Sequence, residues 1–166
     1  TMCDRIVVMK EGIVQQFDTP QVLYDTPDNL FVAGFIGSPQ MNFMDAQIKQ
    51  EGGKLYSVVK GNQLLIPDFK KEALTPYVGK TVVMGLRIED FLPKEKMTKD
   101  NTLAAEMNFS ELMGADYHLH LSVEDIPLTM KISSTEKPLE KGPAKIAANM
   151  DKAHFFDKDT EKAICH

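Results

Sequence analysis

The sequence contains no tryptophan and only two cysteines, Cys3 and Cys165, which lie near opposite ends of the 166 residues. Such a pair provides no disulfide framework, and the pattern fits a reducing compartment. No apolar run approaches the roughly 20 residues that a helix needs to cross a bilayer. These absences exclude a disulfide-stapled secreted module and argue against a membrane-spanning helix.

The sequence also lacks an excess of positive charge. Its 19 Lys and Arg residues are outnumbered by 24 Asp and Glu residues, which gives a net charge of −5. A nucleic-acid partner needs a basic patch or stripe that displaces the counterions of the phosphates. The charge balance therefore disfavours nucleic acid as a partner.

Three common catalytic motifs are absent from the sequence. There is no phosphate-binding loop of the form Gly-x-x-x-x-Gly-Lys-Ser/Thr, no Gly-x-Ser-x-Gly elbow and no Cys-x-x-Cys pair. His118 and His120 share one side of a strand, but a zinc site needs three or four ligands. We interpret the two histidines as a solvated strand face, and we assign no catalytic, cofactor-binding or metal-binding residue to the chain.

Three further polar positions receive structural rather than chemical interpretations. Glu89-Asp90 is a carboxylate pair whose neighbouring side chains should diverge from a solvated turn. Cys165-His166 is predicted to be frayed, and His154 is interpreted as structural. None of the three predicts acid–base catalysis.

The first part of the sequence predicts a hairpin followed by two short helices. Residues 5–17 read as two strands around a turn at Gly12, and their continuous apolar run predicts a well-covered sheet edge. Thr19-Pro20 is typical of a helix start, here for residues 21–25. A second helix begins near residues 28–29 and ends at Gly37; it is so apolar that it should be buried.

The remainder of the sequence predicts short strands. They are placed at residues 42–50, 54–60, 63–66, 81–87, 102–112, 116–123, 127–132 and 145–149. Gly52-Gly53 and Gly61-Asn62 are hairpin turn signals, and Asp68 is predicted to cap a single short helix over residues 69–74. Many short strands with one small helix indicate a mainly β fold with a barrel of the OB type.

Five segments resemble one known family, the ATP-binding subunits of bacterial ABC sugar importers of the MalK, UgpC and MsmK type. The most specific is the run over residues 31–43, which resembles the segment joining the ATPase domain to the regulatory domain. The others are residues 1–12, 15–27, 84–91 and 149–157. The sequence has Asp18 where the family usually has glycine, and Ile88 where it usually has proline.

The resemblance implies two regions. Residues 1–37 look like the closing elements of a nucleotide-binding domain, and residues 38–166 look like a TOBE-type, MOP-like OB regulatory domain. Because the first residue is Thr1, we expect that a preceding part exists. That part would carry the motifs that bind ATP and Mg²⁺, so the full-length parent would be an ABC-type ATPase and this region would hold neither cofactor.

The resemblance also implies partners and a location. Two copies would form a homodimer through the barrel and drive membrane permease subunits that import a sugar or a sugar-like solute such as glycerol phosphate. The complex would be cytoplasmic and peripheral at the inner face of the cell membrane. Some family members also bind a cytosolic regulator protein on this domain.

Six residues are candidates for these roles. Ser38, Asn42, Arg87 and Glu89 are candidates for fixing the linker and the barrel dimer. Phe43 and Gly79 are candidates for a regulatory surface, and the plainer alternatives are that Phe43 is a core residue and Gly79 a turn residue.

An alternative function is a small-ligand barrel that binds oxyanions, as in related molybdate and tungstate proteins. Thr81, Ser133 and Ser134 could contribute to such a site, although no dense cluster of donors is present. An OB-fold that binds nucleic acid would need a basic groove with stacking aromatics, and a stand-alone enzyme would need a catalytic constellation. The sequence favours neither of these two.

Overall fold

The computed structural model describes residues 3–166, which form a mainly β fold. The strands are β1 (Ile6–Lys10), β2 (Ile13–Asp18), β3 (Asn42–Glu51), β4 (Lys54–Val59), β5 (Asn62–Leu65), β6 (Thr81–Leu86), β7 (Phe91–Leu92), β8 (Thr102–Met113), β9 (Asp116–Val123), β10 (Ile126–Ser133), β11 (Gly142–Ala148), β12 (His154–Phe156) and β13 (Ala163–Cys165). The helices are α1 (Pro20–Asp25), α2 (Leu30–Phe35) and α3 (Asp68–Leu74). No helix in residues 3–166 has the length and apolar character to cross a membrane.

The N-terminal hairpin forms as the sequence predicts, but its expected cover is missing. β1 and β2 pair as a separate two-stranded antiparallel sheet around Glu11 and Gly12, both at positive φ. On β1 the side chain of Val8 is buried, whereas Val7 is 47% exposed. The prediction of a well-covered sheet edge is therefore wrong, because no other element of residues 3–166 pairs with or covers the outer face of this hairpin.

Both short helices begin at side-chain caps. The Thr19 hydroxyl accepts a hydrogen bond from the Val22 amide at 3.3 Å, and the Asn29 amide oxygen accepts one from the Val32 amide at 3.0 Å. α2 buries Val32 and leaves Phe35 64% exposed. The prediction that this helix is buried all round is correct for one face only, because the second face has no neighbouring element among the described residues.

Two antiparallel sheets form the rest of the molecule. One has the strand order β10-β9-β8-β11-β7, and the other has the order β13-β12-β6-β3-β4-β5. The sequence predicted β3–β6 and β8–β11 but not the short strands β7, β12 and β13. Two or three residues are too few to show an alternating pattern of apolar and polar side chains.

The two sheets join edge to edge into a nearly closed barrel. Near one seam, between β5 and β8, the Asn62 side chain accepts a hydrogen bond from the Ala104 amide at 3.1 Å. On the other side, the Lys131 amide of β10 donates to the Ile88 carbonyl at 2.8 Å. Closure of this kind removes most of the exposed strand edges. The fold is thus a mainly β, OB-like barrel, preceded by a hairpin and two short helices.

One apolar core fills the barrel, and it draws side chains from both sheets. Its fully buried members include Ile48, Leu64, Met84, Leu121 and Phe155. At about 25 cal/mol per Å² of apolar area removed from water, burial of this kind is the main stabilising contribution.

The helix α3 differs from its prediction at its start. Asp68 is the first helical residue, the cap position belongs to Pro67, and no side chain caps the helix. The helix also buries Lys70, which is 1% exposed and whose ammonium donates a hydrogen bond to the Ala153 carbonyl. The backbone before Asp68 is that of an X-Pro segment, which keeps the preceding residues extended.

Candidate functional site

Arg87 connects the N-terminal segment (residues 3–37) to the barrel. It follows β6, is 3% exposed, and points its guanidinium at three backbone carbonyls. It donates hydrogen bonds to the carbonyl of Tyr24 at 2.8 Å, of Ile36 at 2.7 Å and of Ala33 at 3.3 Å. The C-terminal ends of α1 and α2 carry these otherwise unpaired carbonyls, so one side chain satisfies the ends of two helices.

The guanidinium is buried without a direct carboxylate partner. It lies 3.9 Å from the centre of the Tyr24 ring, a cation–π contact. Burial lowers the pKa of Arg87, and the nearby charges of Glu89 and Asp90 act in the opposite direction. Nε of Arg87 has no hydrogen-bond partner among the described residues. A buried cation held by neutral carbonyls depends on their geometry, so this contact fixes the N-terminal segment in one position.

Tyr24 adds a second connection at the same place. Its hydroxyl donates a hydrogen bond to the Glu89 carboxylate, which follows Arg87 closely in sequence. Burial and the neighbouring Glu89 carboxylate raise the pKa of Tyr24 far above its ordinary value. The phenol therefore stays protonated and keeps donating at neutral pH.

A third set of contacts joins α2 to the end of the barrel. The Leu30 amide donates to the Glu161 carbonyl at 2.9 Å, and the Ala163 amide donates to the Asp28 carbonyl at 2.9 Å. Ala33 also packs in a small apolar cluster with Met41 and Phe156. Because these contacts lie on both sides of the linker, the N-terminal segment is attached to the barrel at several points.

A polar cavity of about 470 Å³ lies beside this junction, with Tyr24, Arg87 and Asp90 among its lining residues. Burial and, to a smaller extent, the adjacent carboxylate of Glu89 together raise the pKa of Asp90 to about 6. The interpretation of Glu89-Asp90 as a solvated turn holds for Glu89, which is exposed in a turn, but not for Asp90, which is partly buried. Glu89 is engaged by Tyr24, and Asp90 turns into the partly buried cavity.

Two histidines close the far side of this cavity. Nδ1 of His154 lies 2.8 Å from Nδ1 of His166. Burial lowers the pKa of His154 to about 3 and that of His166 to about 4. Two neutral imidazoles satisfy the contact, one donating and the other accepting. The prediction of a frayed end at Cys165-His166 is wrong, because β13 pairs with β12 and carries His166 to this contact.

The linker candidates lie in different environments. Asn42 is buried, and its side chain accepts from the Thr129 amide at 2.8 Å and donates to the Thr129 carbonyl at 2.8 Å. It thus joins β3 to β10 in the manner of a backbone pair. Ser38 is exposed and precedes a cis peptide bond to Pro39. Arg87, Glu89 and Asn42 all make contacts within the chain.

The two regulatory-surface candidates also differ from each other. Phe43 is half-buried and meets the Phe156 ring edge to face, with centroids 6.2 Å apart. Gly79 is exposed in a turn at φ +83, where a left-handed backbone favours glycine, and open space surrounds it. Gly79 is exposed to solvent, whereas the Phe43 ring packs between α2 and the barrel.

The remaining polar candidates do not assemble into a site. Nε2 of His120 donates a hydrogen bond to the Glu111 carboxylate at 2.8 Å, and the His120 ring stacks on Phe109. The odd-numbered residues from Leu119 onward are buried. In residues 3–166 no group of three or more His, Cys, Asp or Glu side chains is arranged to hold a metal ion. Thr81 begins β6 and Ser133 ends β10, so the oxyanion candidates lie on different sheets.

Sequence reasoning missed two parts of the junction. Tyr24 was seen only as part of a family-like stretch, and no local pattern signals that its ring lies on a guanidinium. The contact of His154 with His166 depends on the pairing of β12 with β13, two strands too short to predict.

Comparison with known proteins identifies the barrel. The family model described as the MalK OB fold domain matches residues 37–91. Relatives include the uncharacterized ABC transporter ATP-binding protein YcjV of Escherichia coli O6:H1, which is 40% identical over 99% of this chain and 45% of its own length. The oligosaccharides import ATP-binding protein MsmX of Bacillus subtilis is 35% identical, and the trehalose/maltose import ATP-binding protein MalK of Thermococcus litoralis is 36% identical, each with the same coverage.

Among solved structures, the cytoplasmic molybdate-binding protein ModG with molybdate bound has a TM-score of 0.49 and 13% identity. That alignment covers 69% of this chain and 94% of the ModG chain.

Residues 37–91, which contain the barrel strands β3 to β6, thus match a MalK-type OB-fold domain. Over 99% of its length the chain is similar to part of the ATP-binding proteins of ABC transporters, including ones named for the import of oligosaccharides and of trehalose and maltose. It spans about half the length of the curated relatives it matches, 45% in each of the three named above.

Proposed function

We propose that this chain is the regulatory and dimerisation region of the ATP-binding subunit of an ABC importer. Its solute would be a sugar or a sugar-like molecule such as glycerol phosphate, in line with relatives that are named for the import of oligosaccharides or of trehalose and maltose. The complete subunit would couple hydrolysis of ATP, with Mg²⁺, to uptake. Both cofactors would bind outside residues 1–166.

The observation that carries this proposal is the Arg87 junction. Arg87 ties the barrel to the ends of α1 and α2, so the barrel and the N-terminal segment would move as one body. We propose that residues 1–37 close a nucleotide-binding domain and that residues 38–166 are the regulatory domain. Motion of the nucleotide-binding domain would then be transmitted directly to the regulatory domain.

The outer face of the N-terminal hairpin supports the same assignment. Val7 and Met9 of β1 and their cross-strand partners Phe17 and Val14 of β2 share this face, and they are 47%, 51%, 50% and 56% exposed. Apolar side chains grouped in this way mark a contact surface. In the complete subunit this face would pack against the rest of the nucleotide-binding domain.

A homodimer would form through the barrel. Among the described residues, the outer half of the β8–β9 hairpin exposes three large apolar side chains close together in sequence, Phe109, Leu112 and Met113. Asn42 and Arg87 are buried within one chain, so we assign them to the junction and not to the dimer surface. A barrel that remains paired would hold two ATPase domains at high effective concentration between cycles.

The membrane permease subunits and a cytosolic regulator are the further partners of this proposal. The complex would be cytoplasmic and peripheral at the inner face of the cell membrane. The exposed turn at Gly79 is accessible to a regulator. Phe43 would contribute only its accessible edge, and Ser38 would act as part of the linker.

A chimera tests the proposed function. The region of Bacillus subtilis MsmX that this chain matches is replaced by the chain, and the chimera is expressed in cells that lack MsmX. We expect oligosaccharide-dependent growth to return, while MsmX truncated before this region gives none. A chimera that folds and hydrolyses ATP but fails to restore growth would contradict the proposal.

A further inference from the structure

A second cavity, of about 590 Å³, opens between the two edge strands of the five-stranded sheet. These edges are β7 and β10, which lie at opposite ends of the strand order. The sheet curls until the Lys131 amide of β10 reaches the Ile88 carbonyl near β7, at 2.8 Å. No ladder of hydrogen bonds pairs β7 with β10 within residues 3–166. The curled sheet is therefore open at this point.

The floor of this cavity, here called the sheet-edge pocket, is apolar. It is lined by Leu119 of β9, Met130 and Ile132 of β10, and Ile146 of β11. Leu119 and Ile146 are buried, so the pocket reaches the barrel core. Leu139, which is 37% exposed, stands at the mouth. Clefts of several hundred Å³ with an apolar lining and a few polar groups are preferred places for small ligands.

The rim of the sheet-edge pocket carries an excess of positive charge. Four lysines line it, Lys94, Lys131, Lys137 and Lys145, against the two carboxylates Glu95 and Glu136. Among the described residues, Lys137 lies 3.7 Å from Glu140, and the other three ammonium groups have no carboxylate oxygen within 4.0 Å. An excess of cations at this rim contrasts with the net charge of −5 on the chain.

We propose that the sheet-edge pocket binds a small organic anion with an apolar body, such as a carboxylate or sulfonate on a chain or ring. The apolar body would lie on Leu119, Met130 and Ile146, and the anionic group would accept hydrogen bonds from the lysines. Charge-assisted hydrogen bonds of this type are stronger than neutral ones. An inorganic oxyanion would leave the floor unused, and a neutral apolar molecule would leave the lysines unpaired. The proposal is independent of the solute that the importer carries.

Titration followed by amide NMR tests the proposal, because it locates the ligand as well as detecting it. Decanoate, kept below its micelle concentration, is the probe, with decanol and inorganic phosphate as comparisons. We expect saturable shifts at residues 130–132 and 145–147, with decanol and phosphate each binding about tenfold more weakly or worse. Localisation matters because the exposed hairpin face also offers apolar side chains.

Two variants distinguish binding in the sheet-edge pocket from non-specific binding to other exposed apolar side chains. The double variant Lys131→Glu, Lys145→Glu should weaken decanoate binding by about tenfold or more, and Leu139→Asn should weaken it without a change of charge. Lys54→Glu, at an exposed hairpin end on the other sheet, should leave binding unchanged. Unperturbed amide shifts elsewhere show that each variant is folded. Absence of saturable shifts at the pocket, equal binding of decanol, or an unaffected double variant would overturn the proposal.

Discussion

Arg87 is a cation that the fold buries among carbonyl groups. It stabilises the fold because its guanidinium donates hydrogen bonds to the backbone carbonyls of Tyr24, Ala33 and Ile36. Each carbonyl left unpaired in a buried place costs about 1–3 kcal/mol. The residue therefore stabilises the attachment of the N-terminal segment more than it stabilises the barrel core.

Replacement of the Arg87 side chain should measure the free energy that is lost when these three carbonyls are left unpaired. We expect Arg87→Ala to lower the free energy of unfolding by about 2–4 kcal/mol, measured by urea denaturation. Arg5→Ala is the matched control, because Arg5 is exposed and lies 3.9 Å from Asp18; it should cost less than about 0.5 kcal/mol. Equal stability of the Arg87→Ala variant and the wild type would contradict the role of Arg87 in the junction.

The cavity beside Arg87 makes stability depend on pH. The pKa of Asp90 is raised to about 6 from 3.8, so the folded state binds this proton more tightly than the unfolded state does. Its contribution is present below about pH 4 and is lost as the pH rises through 6. His154 and His166 act oppositely, because their pKa values fall to about 3 and about 4. Their contribution is present above about pH 6.5 and is lost as the pH falls.

The variant Asp90→Asn removes the contribution of Asp90 to the pH dependence of stability and leaves that of the two histidines. Between pH 4 and pH 6 the wild type should gain stability with pH more slowly than the variant does. The difference in slope should be on the order of 1 kcal/mol per pH unit, the value for one proton. Urea midpoints measured at several pH values for both proteins check this. Identical slopes would show that Asp90 titrates in the folded protein as it does in the unfolded chain.

At the scale of elements, the two sheets are joined by hydrogen bonds between a side chain of one sheet and the backbone of the other. Asn42 of β3 exchanges two hydrogen bonds of 2.8 Å with the amide and carbonyl of Thr129 on β10. The bridge lies where β3 and β10 approach each other without a ladder. On this side the barrel is therefore closed by the Asn42 side chain together with the hydrogen bond from the Lys131 amide to the Ile88 carbonyl.

The variant Asn42→Leu keeps a similar volume but removes both partners of Thr129. We expect the free energy of unfolding to fall by about 2 kcal/mol or more. In hydrogen exchange, the Thr129 amide should lose protection before the amides of β9 do. Asn108→Leu is the control, because Asn108 is exposed and its contact with Ser122 is long, at 3.4 Å. Similar losses in the two variants would contradict a special role for Asn42.

Local signals explain how much of the fold the sequence predicts. Hairpins with glycine turns, such as the one at Gly12, and capped helices, such as the one after Thr19, depend on near neighbours. β7 and β12 pair with strands that are distant in sequence, β13 pairs within residues 3–166 only with β12, and all three are too short to show a pattern. The junction was indicated by resemblance, since Arg87 falls in a family-like stretch. Its acceptors are backbone carbonyls, which have no residue signature.

At the scale of the whole molecule, two surfaces are incomplete in a single chain. One is the outer face of the N-terminal hairpin, with Val14 56% exposed. The other is the end of the β8–β9 hairpin, with Leu112 62% exposed. Our account assigns the first surface to the nucleotide-binding domain and the second to another copy of the chain. Both would become buried in the working transporter subunit.

The measurement that tests this account most directly is the mass of the chain in solution, by light scattering over a concentration series. The account predicts a dimer that persists on dilution, and a monomer for Leu112→Glu. Phe69→Glu changes an equally exposed aromatic on α3 and should remain a dimer. A monomeric wild-type chain at every concentration would contradict dimerisation through the barrel, and a dimeric Leu112→Glu variant would contradict the β8–β9 surface.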